Sequence, residues 1–395
     1  SWPAPLFFRR RMRAPITHSR RRASSGPRGA AALAAIRMPR YNAAMRRPLR
    51  LGLILTAALV VAGAASYTAY WLIAAGQLKD GVARWTEEAR AQGLAASWQS
   101  IRVGGYPFAF RVRLTEPRVV DEAVNPAAEL SGPLMLASAR PWDLNVWQTL
   151  APQGLKATLR DPAKPPAGQP LVRVSVDASS GAVSVASDGA VTVWLTLDGA
   201  NAETGSEPAD RVAARTANGW LVLPARPPHS HTERYLGFGA DLYGLTVPQA
   251  PSPFGRTIDN LSIGLTVKGM IPAGPVRQSA EAWRQSGGTI ELDHFRLFWD
   301  ALGVTGTGTA ALDRELQPVG AFSGAIEGYD KLIAAMVVAG RMRAGDASLA
   351  AVALSLLAKS GPDGKLSIST SFTIDKGEMY LGPAKLGKMP RIAWQ

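Results

Sequence analysis

No cysteine occurs among the 395 residues of this chain. That excludes a disulfide framework, a thiol nucleophile, a cysteine-based zinc or iron–sulfur site and a lipidated N-terminal cysteine. Histidine is scarce: His18, His229, His231 and His294 are the only four, so histidine-led catalysis is thinly provisioned. Gly-x-Ser-x-Gly, His-Glu-x-x-His and P-loop patterns are missing. There is no regular alternation of strand and helix, which argues against a doubly wound nucleotide-binding sheet. Hydrophobic residues nevertheless make up 47% of the chain and charged ones 19%. Wholesale disorder is excluded, and the length suits one large or two ordinary domains.

Acidic residues are missing from the first fifty positions. That stretch holds thirteen arginines and no Lys, Asp or Glu, whereas the remaining 345 residues hold 31 basic and 30 acidic groups. The net charge of +14 therefore belongs to the N-terminal tail. A folded nucleic-acid binder carries its basic patch on its folded surface, so no specific nucleic-acid partner is expected. Residues 1–44 are rich in Arg, Ala and Pro without periodicity and read as a disordered tail. The chain opens on Ser1, and Met38 and Met45 are candidate translation starts. The expectation is that the tail is not part of the natural protein.

Residues 45–76 read as a membrane anchor or signal segment. No Asp, Glu, Lys or Arg occurs from Leu51 to Leu78. As a helix, the 26 residues from Leu51 to Gly76 span about 39 Å, more than the ~30 Å hydrocarbon core. Arg46, Arg47 and Arg50 flank the near end, and Tyr67, Tyr70 and Trp71 cluster toward the far end, where aromatic rings sit at headgroup level. The positive-inside bias puts the N-terminus in the cytoplasm and the rest of the chain in the periplasm, anchored once in the inner membrane. Ala62-Gly63-Ala64 offers the competing reading of a cleaved signal peptide, but the apolar run continues through Trp71-Leu72-Ile73 beyond it.

Residues 77–97 read as an amphipathic helix, with Leu78, Val82, Trp85 and Ala89 on one stripe and Gly93 near its end. From Trp98 the period changes to two. Phe108, Phe110, Val112 and Leu114 alternate with polar or small residues, as do Val172, Val174 and Val176, and then Val191, Val193, Leu195 and Leu197. Asp188-Gly189, Asn218-Gly219 and Asp363-Gly364 are hairpin signals. The proline-rich stretch 224–256 either divides the 98–395 region into two lobes or crosses one continuous sheet. Leu332–Val337 and Leu349–Leu357 form apolar stripes of a C-terminal helical pair, with Asp346 placed to cap the second helix. The expected fold is mainly β with accessory helices: a transmembrane helix, a long antiparallel β-meander and a C-terminal helical pair.

Chemistry-bearing patterns are weak. Gly306-Thr307-Gly308-Thr309-Ala310-Ala311 approaches a dinucleotide fingerprint, but the flanking alternation reads as a strand and no helix follows. His229-Ser230-His231 sits in a proline-rich loop without a third ligand at metal spacing. Asp293 and His294 are neighbours in a strand, so their side chains are expected on opposite faces. No catalytic, cofactor-binding or metal residue is assigned, no cofactor is expected, and the chain is not expected to be an enzyme. Trp98, Trp142, Trp147, Trp194, Trp220, Trp283 and Trp299 fill a core or line an apolar groove able to hold an acyl chain.

Trp98-Gln99-Ser100-Ile101-Arg102-Val103-Gly104-Gly105-Tyr106-Pro107-Phe108-Ala109-Phe110 resembles the signature of the domain of unknown function 2125 (DUF2125) family. Ala137-Ser138-Ala139-Arg140-Pro141-Trp142 and Tyr380-Leu381-Gly382-Pro383-Ala384-Lys385-Leu386-Gly387 are similar to it as well. So is the layout of anchor, helix and long β region, over residues 46–390. Gly105, Tyr106, Pro107 and Phe108 are the most specific piece. The resemblance implies a bacterial envelope protein and supplies no site residues. Pro107 lacks an N–H for the ladder and suits a strand start; Phe108 and Phe110 are expected to share one buried face. The leading expectation is a membrane-anchored periplasmic protein of envelope maintenance with a lipid ligand. The alternatives are a structural module binding an envelope protein through its sheet edges, and a periplasmic hydrolase.

Overall fold

A computed structural model describes residues 46–91, 93–122, 126–160, 170–205, 210–248, 254–338, 340, 342–360, 366–382, 384–392 and 394. The tail 1–44 and Asp363-Gly364 lie outside them. The chain divides into two compact units, residues 1–62 and 63–395. Of the first, the described part is the opening of helix α1 (Arg46–Ala91). Pro48 falls in its first turn, where no N–H is needed, and Leu and Ala dominate the next turns. The stretch Ile54–Ala91 is long and apolar enough to cross a membrane, by length and composition.

The anchor segment and the amphipathic segment are one helix: α1 runs through Gly76 to Ala91. A helical glycine keeps its backbone hydrogen bonds, and Gly76 and Gly81 stand in open space. Gly93, at φ 89°, follows the helix end, and 94–97 is strand, not helix.

The second unit is built on one antiparallel sheet. Its first ten strands are five long ones broken midway. β1 (Leu94–Ser97) continues as β2 (Ser100–Gly104), β3 (Phe110–Thr115) as β4 (Arg118–Asp121), and β5 (Ala127–Ser131) as β6 (Leu134–Arg140). Likewise β7 (Asp143–Ala151) continues as β8 (Leu155–Arg160), and β9 (Val172–Val176) as β10 (Ala178–Val185). Each half pairs with the matching half of the next long strand. β11 (Val191–Thr204) spans the break, pairing with both β10 and β9.

The meander continues through β12 (Arg211–Leu223), β13 (Arg234–Thr246), β14 (Thr257–Lys268), helix α2 (Val276–Gln285), β15 (Thr289–Trp299), β16 (Leu302–Leu312) and β17 (Pro318–Glu327). Helices α3 (Tyr329–Val338) and α4 (Ala344–Leu357) form the expected C-terminal pair. β18 (Lys359–Ser360), β19 (Leu366–Asp375), β20 (Glu378–Leu381) and β21 (Ala384–Lys388) complete the sheet, with β19 beside β17. β13, within the proline-rich stretch, pairs with both β12 and β14, so the sheet is continuous on either side of it.

The breaks line up across the strands. Pro117 and Pro133 have no N–H to give. Around them Glu116 N–H donates to the Pro133 carbonyl (2.9 Å) and Gly132 N–H to the Pro117 carbonyl (3.2 Å). At Gly154, φ is 79°, and a Cβ would lie 2.1 Å from the Val176 carbonyl oxygen; only glycine fits there.

Two other expectations are corrected. Asn218-Gly219 lies inside β12, not in a hairpin. Pairing on both sides overrides the local turn preference, and the Asn218 side chain accepts from the Thr196 hydroxyl (2.9 Å). Asp346 sits within the first turn of α4, whose N-cap is Arg343.

Register sorts the sheet into two faces. Phe110, Ala139, Trp147, Val183, Val193 and Leu221 stand opposite one another on successive strands. The row continues through Phe238, Leu265, Leu292, Gly308, Phe322, Phe372 and Leu381. It crosses thirteen strands without a polar side chain. At one end of this face Trp71 and Ala75 of α1 pack on Phe110 and Trp147. At the other, Ile333 and Ala335 of α3 pack with Ile368, Ile326 and Val304.

Candidate functional site

Two features are candidates for a functional role: the junction of α1 with the sheet, and the apolar face that begins there. The junction is made by residues far apart in sequence. After β2 the chain turns at Gly105 (φ 101°), where a Cβ would lie 2.6 Å from the Ala109 carbonyl oxygen. Ala109 N–H donates to the Gly105 carbonyl (3.0 Å) and closes the turn. The Tyr106–Pro107 peptide is cis.

β3 starts only at Phe110, so Phe108 lies in the turn and does not share the buried face expected of it. It is 73% exposed, while Phe110 is 0% exposed. Alternation holds inside a paired strand, and residues 106–108 are not paired.

The aromatic residues read as a membrane-interface group meet this turn. Tyr67 donates its hydroxyl proton to the Pro107 carbonyl. The Thr68 and Tyr106 hydroxyls are 2.7 Å apart. Trp71 Nε1 donates to the Ala109 carbonyl (3.3 Å), and Tyr70 donates to the Pro141 carbonyl (2.9 Å) in the turn between β6 and β7. Trp71 is buried, and Tyr106 packs edge-on against it. Tyr67, Tyr70 and Trp71 are thus brought together with Gly105, Tyr106 and Pro107. Spacing alone carried no sign of this contact across about forty residues. The side chains of Arg46, Arg47 and Arg50 lie outside the described ones.

From Phe110 the apolar row leaves the shelter of α1. No residue of the row from Val183 to Phe372 is buried, and Phe238 exposes 42% of its surface. One row over on the same face, Leu195 also exposes 42%. Such a face is costly to leave in water, at roughly 25 cal/mol per Å² of apolar surface. Of the seven tryptophans only Trp147 belongs to this row. Trp194 and Trp220 stand on the opposite, mixed face, with Trp220 lying over Gly239. That mixed face holds a depression of about 660 Å³ whose rim includes Arg111, Arg113, Leu150 and Trp194.

The strongest catalytic candidate is a cluster that alternation did not foresee. A register shift in β15 around Asp293 puts Asp293 and His294 on the same face, against the expectation of opposite faces. His294 Nε2 is 3.0 Å from the Ser262 hydroxyl, and Thr266 donates to the Asp293 carboxylate (2.7 Å). The pairing is not a triad: Asp293 is engaged by Thr266, and Ser262 is buried beneath the histidine with only 4% exposed. His294 covers Gly264, where a Cβ would meet the imidazole at 2.5 Å.

His229 and His231 are exposed in their loop. Among the described residues no group of three or more His, Asp or Glu side chains is placed to hold a metal. The 306–311 glycine segment is the interior of β16, with Gly308 beneath Phe322.

Three carboxylates are held below the usual range, each by a cation hydrogen-bonded to it: Glu129 by Arg118, Glu281 by Arg284 and Glu378 by Lys385. A general acid needs the opposite direction.

A family model described as an uncharacterized protein conserved in bacteria (DUF2125) matches residues 71–390. The match takes in Trp71, the 105–110 turn and the sheet through β21. No curated protein and no solved structure matches the chain.

Proposed function

The chain belongs to the uncharacterised bacterial family DUF2125, and from that premise we propose that it is an inner-membrane-anchored periplasmic protein that holds an acyl lipid along its apolar sheet face. The observation that carries this reading is the continuity of the row. It starts under Trp71, within the uncharged run of α1, and crosses thirteen strands. At about 4.8 Å per strand the row extends roughly 58 Å, several times the width of an acyl chain. Beside a membrane, lipid is the apolar ligand most available to cover such a face. α1 supplies the anchor, and the arginines at its start favour a cytoplasmic N-terminus. Envelope maintenance follows as the biological role of a protein that keeps lipid out of water next to the membrane.

The test is lipid retention. Full-length protein purified in mild detergent carries phospholipid or another envelope lipid into native mass spectrometry. Val193→Asp puts a charge in the middle of the row and reduces that retention while the far-ultraviolet circular dichroism is unchanged. Folded wild-type protein that carries no lipid and binds no fluorescent acyl probe refutes the reading. The sheet edges would then become the leading feature. Among the described residues β21 pairs only with β20, which leaves an edge open to strand addition by a partner protein.

A further inference from the structure

We propose that the two turns flanking α1, residues 105–109 and 141–143, seat the β unit on the bilayer surface by inserting Phe108 and Trp142 among the lipid headgroups. The turns come from different hairpins yet bind the same short stretch of helix. One meets Tyr67, Thr68 and Trp71 through Pro107, Tyr106 and Ala109, and the other meets Tyr70 through Pro141. Both then point a large apolar side chain outward: Phe108 is 73% and Trp142 66% exposed.

Position along α1 says what they face. Counted from Leu51, a helix rising about 1.5 Å per residue has crossed about 30 Å, the thickness of the hydrocarbon core, on reaching Trp71. The residues the turns hold therefore fall at the far boundary of the hydrocarbon. Leu72 and Ile73 remain exposed there, at 61% and 62%, and extend the same apolar surface along the helix. Aromatic rings gain most at the headgroup level.

Tyr67 and Trp71 are engaged in protein contacts, so the outward-facing aromatic positions at this boundary pass to Phe108 and Trp142. Shallow insertion of about 5–10 Å suits residues on turns. The turns would fix the orientation of the β unit on the membrane, which a single helix alone does not do. This inference uses the anchoring by α1 and is independent of whether the apolar row holds lipid.

The absence of cysteine makes the test direct. Phe108→Cys, Trp142→Cys and, at the opposite end of the strands in the connection between β13 and β14, the exposed Arg256→Cys are each spin-labelled in the full chain and reconstituted into phospholipid vesicles. Collision with oxygen, which concentrates in lipid, is compared with collision with a water-soluble nickel chelate. The expected result is an oxygen-to-nickel ratio several-fold higher at 108 and 142 than at 256. Equal ratios at all three sites overturn the proposal. Protection from both reagents at 108 and 142 also overturns it, because that pattern marks a protein contact. All three sites are exposed, so the variants leave the core intact, and an unchanged thermal melt verifies this.

Discussion

The indole of Trp71 stacks on the ring of Phe110, with centroids 5.3 Å apart and planes 20° from parallel. One residue belongs to the uncharged run of α1 and the other opens β3, so this contact ties the candidate membrane helix to the first residue of the apolar row. Phe110 is the largest side chain among the described residues with essentially no exposure. Phe110→Ala is expected to cost about 3–5 kcal/mol through lost burial and the cavity left behind. Thermal or denaturant unfolding of the detergent-solubilised protein measures it. Phe108→Ala, two residues away, is expected to change stability by less than about 0.5 kcal/mol, as at an exposed position.

The aligned breaks give a second prediction. Gly154→Ala forces a Cβ to 2.1 Å from the Val176 carbonyl oxygen at a positive φ. Gly255→Ala meets a similar φ of 73° with nothing within 4 Å. The second substitution costs only the left-handed strain of about 1–2 kcal/mol, and the first costs clearly more because backbone must move. Equal melting temperatures for the two variants contradict the assignment of Gly154 to a sterically closed break.

The strand periods of this chain were legible because the rows of β3, β11 and β19 alternate cleanly, and so were the C-terminal helices. Asp188-Gly189 marks a real turn, where the Asp188 carboxylate accepts from Ala190 N–H (2.9 Å). Lys376-Gly377 forms another, with φ 50° and 72°, although lysine gives little hint of a left-handed residue. What alternation misses is any change of phase. Phe108 lies outside the paired strand, and the register shift at Asp293 turns His294 to its neighbour's side. The junction was half legible: both aromatic groups stand out in the sequence, but contacts between residues 67–71 and 105–110 depend on how the chain folds back. The composition held no separate record of the apolar row either. It emerges only when thirteen strands are placed in register.

An acid-sensitive contact ties β4, β5 and β8 together. Glu129 pairs with Arg118 and Arg160, each at 2.7 Å, and its side chain is 15% exposed. The hydrogen bond from Arg118, the largest influence, lowers the carboxyl's pKa below its unfolded value, which is about 4.3. A lowered folded value means the pair contributes stability above about pH 4.3, and that contribution is lost as pH falls through the folded value. Melting temperature followed from pH 6 downward is expected to fall less steeply in Glu129→Gln than in wild type. Parallel curves would remove the pair from the account of acid stability.

The central claim is that the apolar face, and not the mixed face, meets lipid. β13 carries a matched pair of probes: Phe238 on the apolar row exposes 42%, and Tyr243 on the opposite face exposes 38%. Each is replaced in turn by the photoreactive p-benzoylphenylalanine in cells labelled with radioactive phosphate, and the purified protein is assayed for covalent lipid. The account predicts a strong phospholipid adduct at position 238 and little or none at 243. Equal adducts at the two positions, or none at 238, would contradict it.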